Sequence, residues 1–423
     1  VDSSPEPLVE HFFRHETGRL HAVLLRLLGT HRWQLAEDLA QESIMRAMRR
    51  WSMGGIPPNP SAWITRTAKN LALDALRREQ MSSRKEASIA LHEEQVRPSP
   101  PSPAIAWEVS EEIADDVLRL LFVCAHPEIS RDAQVMLALK VICGFSTGEI
   151  ARAFFSSEAA IEKRLSRTKA FISQADLPFE LPSGAELTPR LEAVLETLYL
   201  LFNEGYKATS GEHLLREDLC HEAIRLAHLL TQHPVGNRPT GHALLALMLF
   251  NAARFETRID ETGHFLRLSE QDRSRWDQAL IDQGLRHLDR SMQAESITAY
   301  HLQAAIASLH CLAPSVEATP WAQIVAYYTS LQRLHPSPVV LLNRAVAVGY
   351  AEGPAAGLDA LRKLREFADQ TDDHLYHAVE ADFLVQLGQT AKSHDCFCRA
   401  ARLARTESER SYLTRRAETV STT

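Results

Sequence analysis

Cysteine is sparse in this chain and follows no pattern. Six are scattered through 423 residues, at 124, 143, 220, 311, 396 and 398. That excludes a disulfide-built secreted scaffold and fits a reducing, cytoplasmic setting. Long apolar runs are missing as well. The longest, ALLALMLF at 243–250, is too short to span a bilayer, so no membrane association is expected. VDSSPEPLVE carries neither the basic nor the apolar character of an export signal. There is no excess of positive charge: the formal net charge is −8, so a chain that binds nucleic acid over its whole surface is excluded. Also absent are a Walker phosphate loop, a dinucleotide glycine fingerprint and a zincin histidine pair. Neither catalysis nor a cofactor is therefore expected. His394, Cys396 and Cys398 are close in sequence, but residues two apart on a helix face different ways and no second ligand pair follows, so no metal is expected. Cys220, His221 and His228 read as packing on an amphipathic helix, and Asn203 to Tyr206 as a helix end with Gly205 at its stop.

What the chain does have is helical periodicity almost throughout. The apolar fraction is 45%, enough for large cores, and the length allows about two to four domains. The fold class expected is all-α. The most informative stretch runs from Glu37 to Glu79: EDLAQESIMRAMRRW, a Gly/Pro-rich loop SMGGIPPNP, then SAWITRTAKNLALDALRRE. Ala40, Ile44, Ala47 and Trp51 form one apolar stripe, and Ile64, Ala68, Leu71 and Ala75 form another. Off the first stripe lie Asp38, Gln41, Glu42, Met45, Arg46 and Arg49; off the second lie Arg66, Lys69, Asn70, Arg77 and Arg78. Asn59 before Pro60 reads as a helix N-cap with proline at the first helical position.

A polar stretch at 81–103 ends in RPSPPSP and reads as a linker. Helices are expected at 111–123 and 132–143, with Gly144 as the stop. Ser146 and Glu149 have capping-box spacing. After a short turn, Ile161, Leu165, Thr168 and Ile172 mark a helix whose other face carries Lys163, Arg164, Arg167 and Lys169. Helix, turn and basic helix is the helix-turn-helix pattern. LPFELPSGAELTPR at 177–190 reads as a second linker. Beyond it, PVVLLNRAVAVGYAEG and PAAGLDALRKL are followed about 35 residues later by HLYHAVEADFLVQLG and QTAKSHDCFCRAARLA. That period, with small residues at the helix crossings, reads as tetratricopeptide-like (TPR-like) repeats at 301–423, after a helical domain at 191–300.

The Gln-Glu helix ending in Arg49-Arg50-Trp51, the Pro-rich loop, and the Trp63 to Arg78 helix together resemble region 2 of bacterial sigma factors of the extracytoplasmic-function (ECF) class. With the helix-turn-helix and the LFVCAHPEISRDAQVMLALKVICGFSTGEIARAF and YLLFNEGY runs, the chain is similar to the branch that carries a C-terminal repeat extension. The resemblance implies a sigma region 2 bundle at 1–80, the linker at 81–103, sigma region 4 at 104–176 and the extension beyond 177–190. It implies two partners, core RNA polymerase and promoter DNA, with a protein or peptide partner for the repeats. Core polymerase would dock on Asp38, Gln41, Glu42, Met45, Arg46 and Arg49. The −10 element would be opened and read by Asn59, Trp63, Arg66, Lys69, Asn70, Arg77 and Arg78. The −35 element would be met by Ser157, Glu158, Ala160, Glu162, Lys163, Arg164 and Arg167. Glu162 stands where many relatives carry a basic or amide residue, which leaves the −35 sequence open. A helix-turn-helix regulator on a repeat scaffold that does not join polymerase, and a repeat adaptor with a merely structural N-terminal half, are the other readings. A clamp-docking helix followed by a base-stacking one serves neither.

Overall fold

Helical periodicity in the sequence becomes helix in space. The computed structural model describes residues 6–90, 109–154, 156–206, 217–260, 266–367, 373–404 and 407–422. Among the described residues there are 18 α-helices and no strand. They form two compact units, Val1–Leu200 and Leu201–Thr423.

The first unit opens with α1 (Glu6–Leu28), α2 (Trp33–Gly54) and α3 (Pro60–Ala90). Leu20, Val23 and Leu24 of α1 are fully buried; α1 packs against α2, α3 and α4 (Val109–Cys124). Then come α5 (Arg131–Val141), α6 (Thr147–Ala153), α7 (Glu158–Ala175) and the start of α8 (Leu187–Tyr206). The residues buried on α2 include Trp33, Ala36, Ala40, Ser43 and Ala47, while Ile44 and Trp51 are only half-buried. The buried stripe is thus rotated from the expected one. Small side chains permit close approach, and Ser43 returns its hydroxyl to the Leu39 carbonyl at 2.7 Å, so its burial leaves no orphan polar group. Helix α3 runs on to Ala90, into the stretch expected as linker; residues 81–90 contain no proline to stop it.

Local signals set the ends. Asn59 accepts the Ala62 amide at 3.0 Å, capping α3. Gly55, at φ 77, closes α2 by donating to the Trp51 carbonyl. At Gly18 the reason for glycine is proximity: a Cβ there would stand 2.1 Å from the Ile142 carbonyl oxygen, so only a bare backbone lets α1 meet the end of α5.

Arg190 and Leu191 on α8 are buried, and Arg190 donates to the Phe122 carbonyl at 2.6 Å. The first turns of α8 therefore belong to the first unit, and the division falls near residue 200 rather than at the expected linker 177–190.

In the second unit α9 (Glu217–Gln232), α11 (Gln278–Ser291) and α12 (Ala299–Leu312) surround α10 (Pro239–Ala252). Residues 243–250 of α10 are all buried, which explains a helix apolar on every side. After α13 (Trp321–Leu334) two helix pairs repeat. Helices α14 (Pro338–Glu352) and α16 (His374–Gln386) begin 36 residues apart, as do α15 (Pro354–Phe367) and α17 (Thr390–Leu403). The chain ends with α18 (Glu407–Thr422). A Cβ at Gly349 would stand 2.2 Å from the Phe383 ring, and one at Gly357 2.7 Å from Gly349 Cα, so these glycines let α14, α15 and α16 close on one phenylalanine.

Candidate nucleic-acid interface

Helix α2 presents an outward face of mixed character. Asp38, Gln41, Met45, Arg46 and Arg49 are exposed and Glu42 half-buried, so the residues singled out there share one surface. Arg46 pairs with Glu42 at 2.7 Å, and Gln34 donates to Asp38 at 3.0 Å. Sequence reasoning missed how apolar this end of the helix is: Met45, Met48, Met53 and Ile56 are 46%, 54%, 83% and 64% exposed. Flexible methionines left in water beside charges suit a partner surface. The clustered methionines at 45, 48 and 53 were the available signal.

On α3, Arg66, Asn70 and Arg77 are exposed at i, i+4 and i+11, with Leu73 also exposed between them. The Arg66, Lys69, Asn70 and Arg78 side chains make no ion pair or hydrogen bond among the described residues, while Arg77 has a loose 3.6 Å pair with Asp74. Trp63 is differently placed. It is half-buried and edge-on to Trp51, with ring centroids 5.7 Å apart, and Phe12 lies 5.9 Å beyond Trp51. Asn59 is occupied by its cap. Trp63 and Asn59 are thus engaged at the start of α3, whereas Arg66, Asn70 and Arg77 are exposed along it.

Helix α7 buries Ile161, Leu165, Thr168 and Ile172, the stripe expected from its sequence. Ser157 caps it, accepting the Ala160 amide at 3.3 Å. The preceding α6 has the reciprocal capping box: Glu149 accepts the Ser146 amide at 2.8 Å, and Ser146 accepts the Glu149 amide at 3.2 Å. Glu158, Glu162, Lys163, Arg164 and Arg167 are exposed and Ala160 half-buried. Arg164 has a 3.6 Å pair with Asp132; Lys163 and Arg167 have no protein partner among the described residues.

The far end of α7 is held against the first helices. Lys169 pairs with Glu37 at 2.5 Å, and Ser173 donates to the His31 carbonyl at 2.6 Å. Thr30 donates to the Leu177 carbonyl at 2.6 Å. His21 meets the Val141 carbonyl at 3.2 Å through Nδ1, and burial pushes its pKa down, so the ring is neutral with its proton on Nδ1. Burial also lowers the Lys140 pKa, with nearby Lys169 acting in the same direction and Glu37 opposing. In this structure α7 and the α1–α2 bundle share one packed surface.

In the second unit, Cys396 lies 3.6 Å from Glu380 and Cys398 3.5 Å from His394, which also meets the Ala417 carbonyl. Among the described residues no group of three His, Cys, Asp or Glu could hold a metal ion. None of the described helices is long and apolar enough to cross a membrane.

Residues 12–81, which include α2 and most of α3, match the sigma-70 region 2 family. Residues 190–292 match a family of unknown function, DUF6596. A probable RNA polymerase sigma factor, RfaY, of Xanthomonas campestris pv. campestris is 33% identical over 139 residues, 32% of this chain and 33% of that protein. No solved structure matches. An uncharacterized protein of Rhizobium meliloti (strain 1021) is 39% identical over 385 residues, 90% of this chain and 88% of that protein. The chain therefore belongs to one family with the Rhizobium protein, and joins a sigma-70 region 2 to a DUF6596 segment.

Proposed function

We propose that the chain is an alternative sigma factor of the ECF type, a dissociable subunit that lends promoter specificity to core RNA polymerase. The observation that carries this reading is the α3 surface: Arg66, Asn70 and Arg77 share an exposed stripe, and Arg66 and Asn70 have no partner among the described residues, inside a region 2 match. Cations there hold phosphates and the amide reads a base edge as the −10 duplex opens. Core polymerase takes the α2 face, where Asp38, Gln41, Arg46 and Arg49 surround exposed methionine. Helices α6 and α7 act as the region 4 helix-turn-helix. Lys163, Arg164 and Arg167 position it on −35 phosphates, and Glu162 limits which bases it accepts. The helix pairs of the second unit act as TPR-like repeats for regulation or assembly. The RfaY match supports the same reading of its region.

This reading carries a mechanical consequence. Elements about 25 base pairs apart are separated by roughly 85 Å of duplex at 3.4 Å per pair. Modules packed through Lys169–Glu37 and Ser173–His31 cannot span that distance, so they separate when the chain joins polymerase. The test is run-off transcription with purified core polymerase, beside co-purification of the Asp38→Lys, Arg46→Glu double variant. The expected result is promoter-dependent transcript from the native chain and loss of polymerase binding by the folded variant. Duplex binding without polymerase dependence, or undiminished co-purification of the variant, would sink the assignment.

A further inference from the structure

The second unit contains a cavity of about 320 Å³ beside the repeated helix pairs, within the size range of small-molecule sites. One wall is aromatic. Trp321 and Tyr350 stack with centroids 4.2 Å apart at 10°, and Trp321 is pinned by its indole N–H to the Val316 carbonyl at 2.8 Å. Val346 and Phe383 continue the apolar lining.

The lining is also cationic. Arg267, Arg273 and Arg416 are part of it, with a single acid, Asp382. Asp382 is shared: Arg267 pairs with one of its oxygens and Arg416 with the other, the latter at 2.8 Å. Glu270, outside the lining, engages Arg267. Glu317 acts on Arg273 from outside the lining as well, so it is within the lining itself that three guanidinium groups face a single carboxylate. Hydrogen bonding is incomplete as well. Arg273 gives Nη1 to the His310 and Ala313 carbonyls, but its Nε and Nη2 are buried with no partner, as is Arg416 Nε. Buried unmade donors are costly and rare in native structures. These donors belong to two of the arginines that line the cavity together with the stacked Trp321–Tyr350 pair.

We propose that this cavity binds a small organic acid, a carboxylate carried on a planar apolar body. The body lies against Trp321 and Val346. The carboxylate faces Arg273 and Arg416, two of the three guanidinium groups that outnumber the single acid of the lining. Such a site would make the second unit a sensor for a soluble ligand. The inference does not rest on the transcriptional reading, since binding is measured without polymerase or DNA.

The probe is 1-naphthylacetate, with 1-naphthylacetamide as its neutral counterpart, titrated into the full chain by calorimetry and by ligand-observed saturation-transfer NMR. The acid should bind saturably and at least about tenfold more tightly than the amide, the usual discrimination of one charge-assisted contact. Arg416→Gln should remove that preference. Val346→Trp, which fills the cavity from its apolar lining and leaves every arginine in place, should abolish binding while leaving the circular dichroism spectrum and Tm unchanged. Absence of saturable binding, equal affinity for acid and amide, or undiminished binding by a folded Val346→Trp variant would overturn the proposal. A short peptide ending in phenylalanine that binds more tightly than the free acid would overturn the small-molecule assignment in favour of a protein partner.

Discussion

Arginine on α3 and α7 of the first unit does the opposite work from arginine around Tyr206 in the second. On α3, Arg66 is exposed and has no partner among the described residues, and Arg77 has only a loose pair. On α7, Arg167 is likewise exposed without a partner among the described residues. In the second unit the same side chain is built into the interior. Arg258 is buried, lies 3.7 Å from the centroid of the Tyr206 ring and donates to the Tyr206 carbonyl at 2.6 Å. Arg254 donates to the Tyr206 hydroxyl and to Asn251, both at close range. The net charge of −8 therefore conceals two populations. One is held in water for an anionic partner; the other packs as a flat, hydrogen-bonded plate. A residue count cannot separate them, but partner lists and burial can.

The sharpest way to break this comparison is to reverse the first population. Arg66→Glu with Arg77→Glu should lower promoter-dependent run-off transcription on the order of 1000-fold, since each lost or reversed phosphate contact weakens binding by about 1–3 kcal/mol. Its Tm should stay within about 2 °C of native, because exposed positions contribute little to folding. A large Tm loss would mean that these arginines are structural after all.

The complementary change removes a member of the second population. Arg258→Met should destabilise the second unit by about 2–4 kcal/mol in urea unfolding, through a lost buried hydrogen bond and a lost contact with the Tyr206 ring. Polymerase co-purification should persist wherever the chain is still folded. An unchanged unfolding midpoint would show that this arginine is no more than a surface cation.

The smallest expected effect is electrostatic. His374 is buried and ion-paired with Asp373 at 2.9 Å and Glu409 at 3.4 Å. Those two carboxylates, Asp373 first, outweigh the opposing burial and raise its pKa from 6.5 to about 9. A raised folded pKa means that the native state holds its proton more tightly than the unfolded chain. The stabilisation is complete below about pH 6.5 and is lost as pH rises through 9. Thermal unfolding between pH 6 and 9.5 should therefore show a loss of about 1–2 kcal/mol, allowing for solvent screening of its partners. His374→Gln should flatten that slope, and an identical slope in both proteins would remove His374 as its source.

Much of the local structure was legible in advance. Asn59 caps the helix it precedes, Ser146 and Glu149 form the capping box, and Gly144 has the positive φ of a helix stop. Each depends on residues within one turn of each other, so spacing was sufficient. The buried face of α7 was read correctly for the same reason. The α2 face was read less well. Its apolar stripe included Ile44 and Trp51, but the tightest packing uses Ser43, whose hydroxyl is satisfied within its own helix. Hydrophobicity alone does not anticipate that. Trp63, which looked available for base stacking, is braced against Trp51. The exposed apolar end formed by Met48, Met53 and Ile56 went unnoticed because periodicity describes what a helix hides rather than what it leaves bare.

The sequence by itself determined the helices, their caps and the 36-residue offset of the last helix pairs, since these follow from contacts a few residues apart and a pattern that repeats. Only the tertiary structure decided which charges meet. Lys169 finds Glu37 and Arg416 finds Asp382 across long stretches of chain, while Arg66 finds no partner among the described residues. The unsatisfied side of the Arg273 guanidinium and the stacked Trp321–Tyr350 wall come together in the same way. Helical propensity acts over a single turn, whereas charge pairing and cavity shape depend on where distant turns are brought to rest, and no local pattern encodes that.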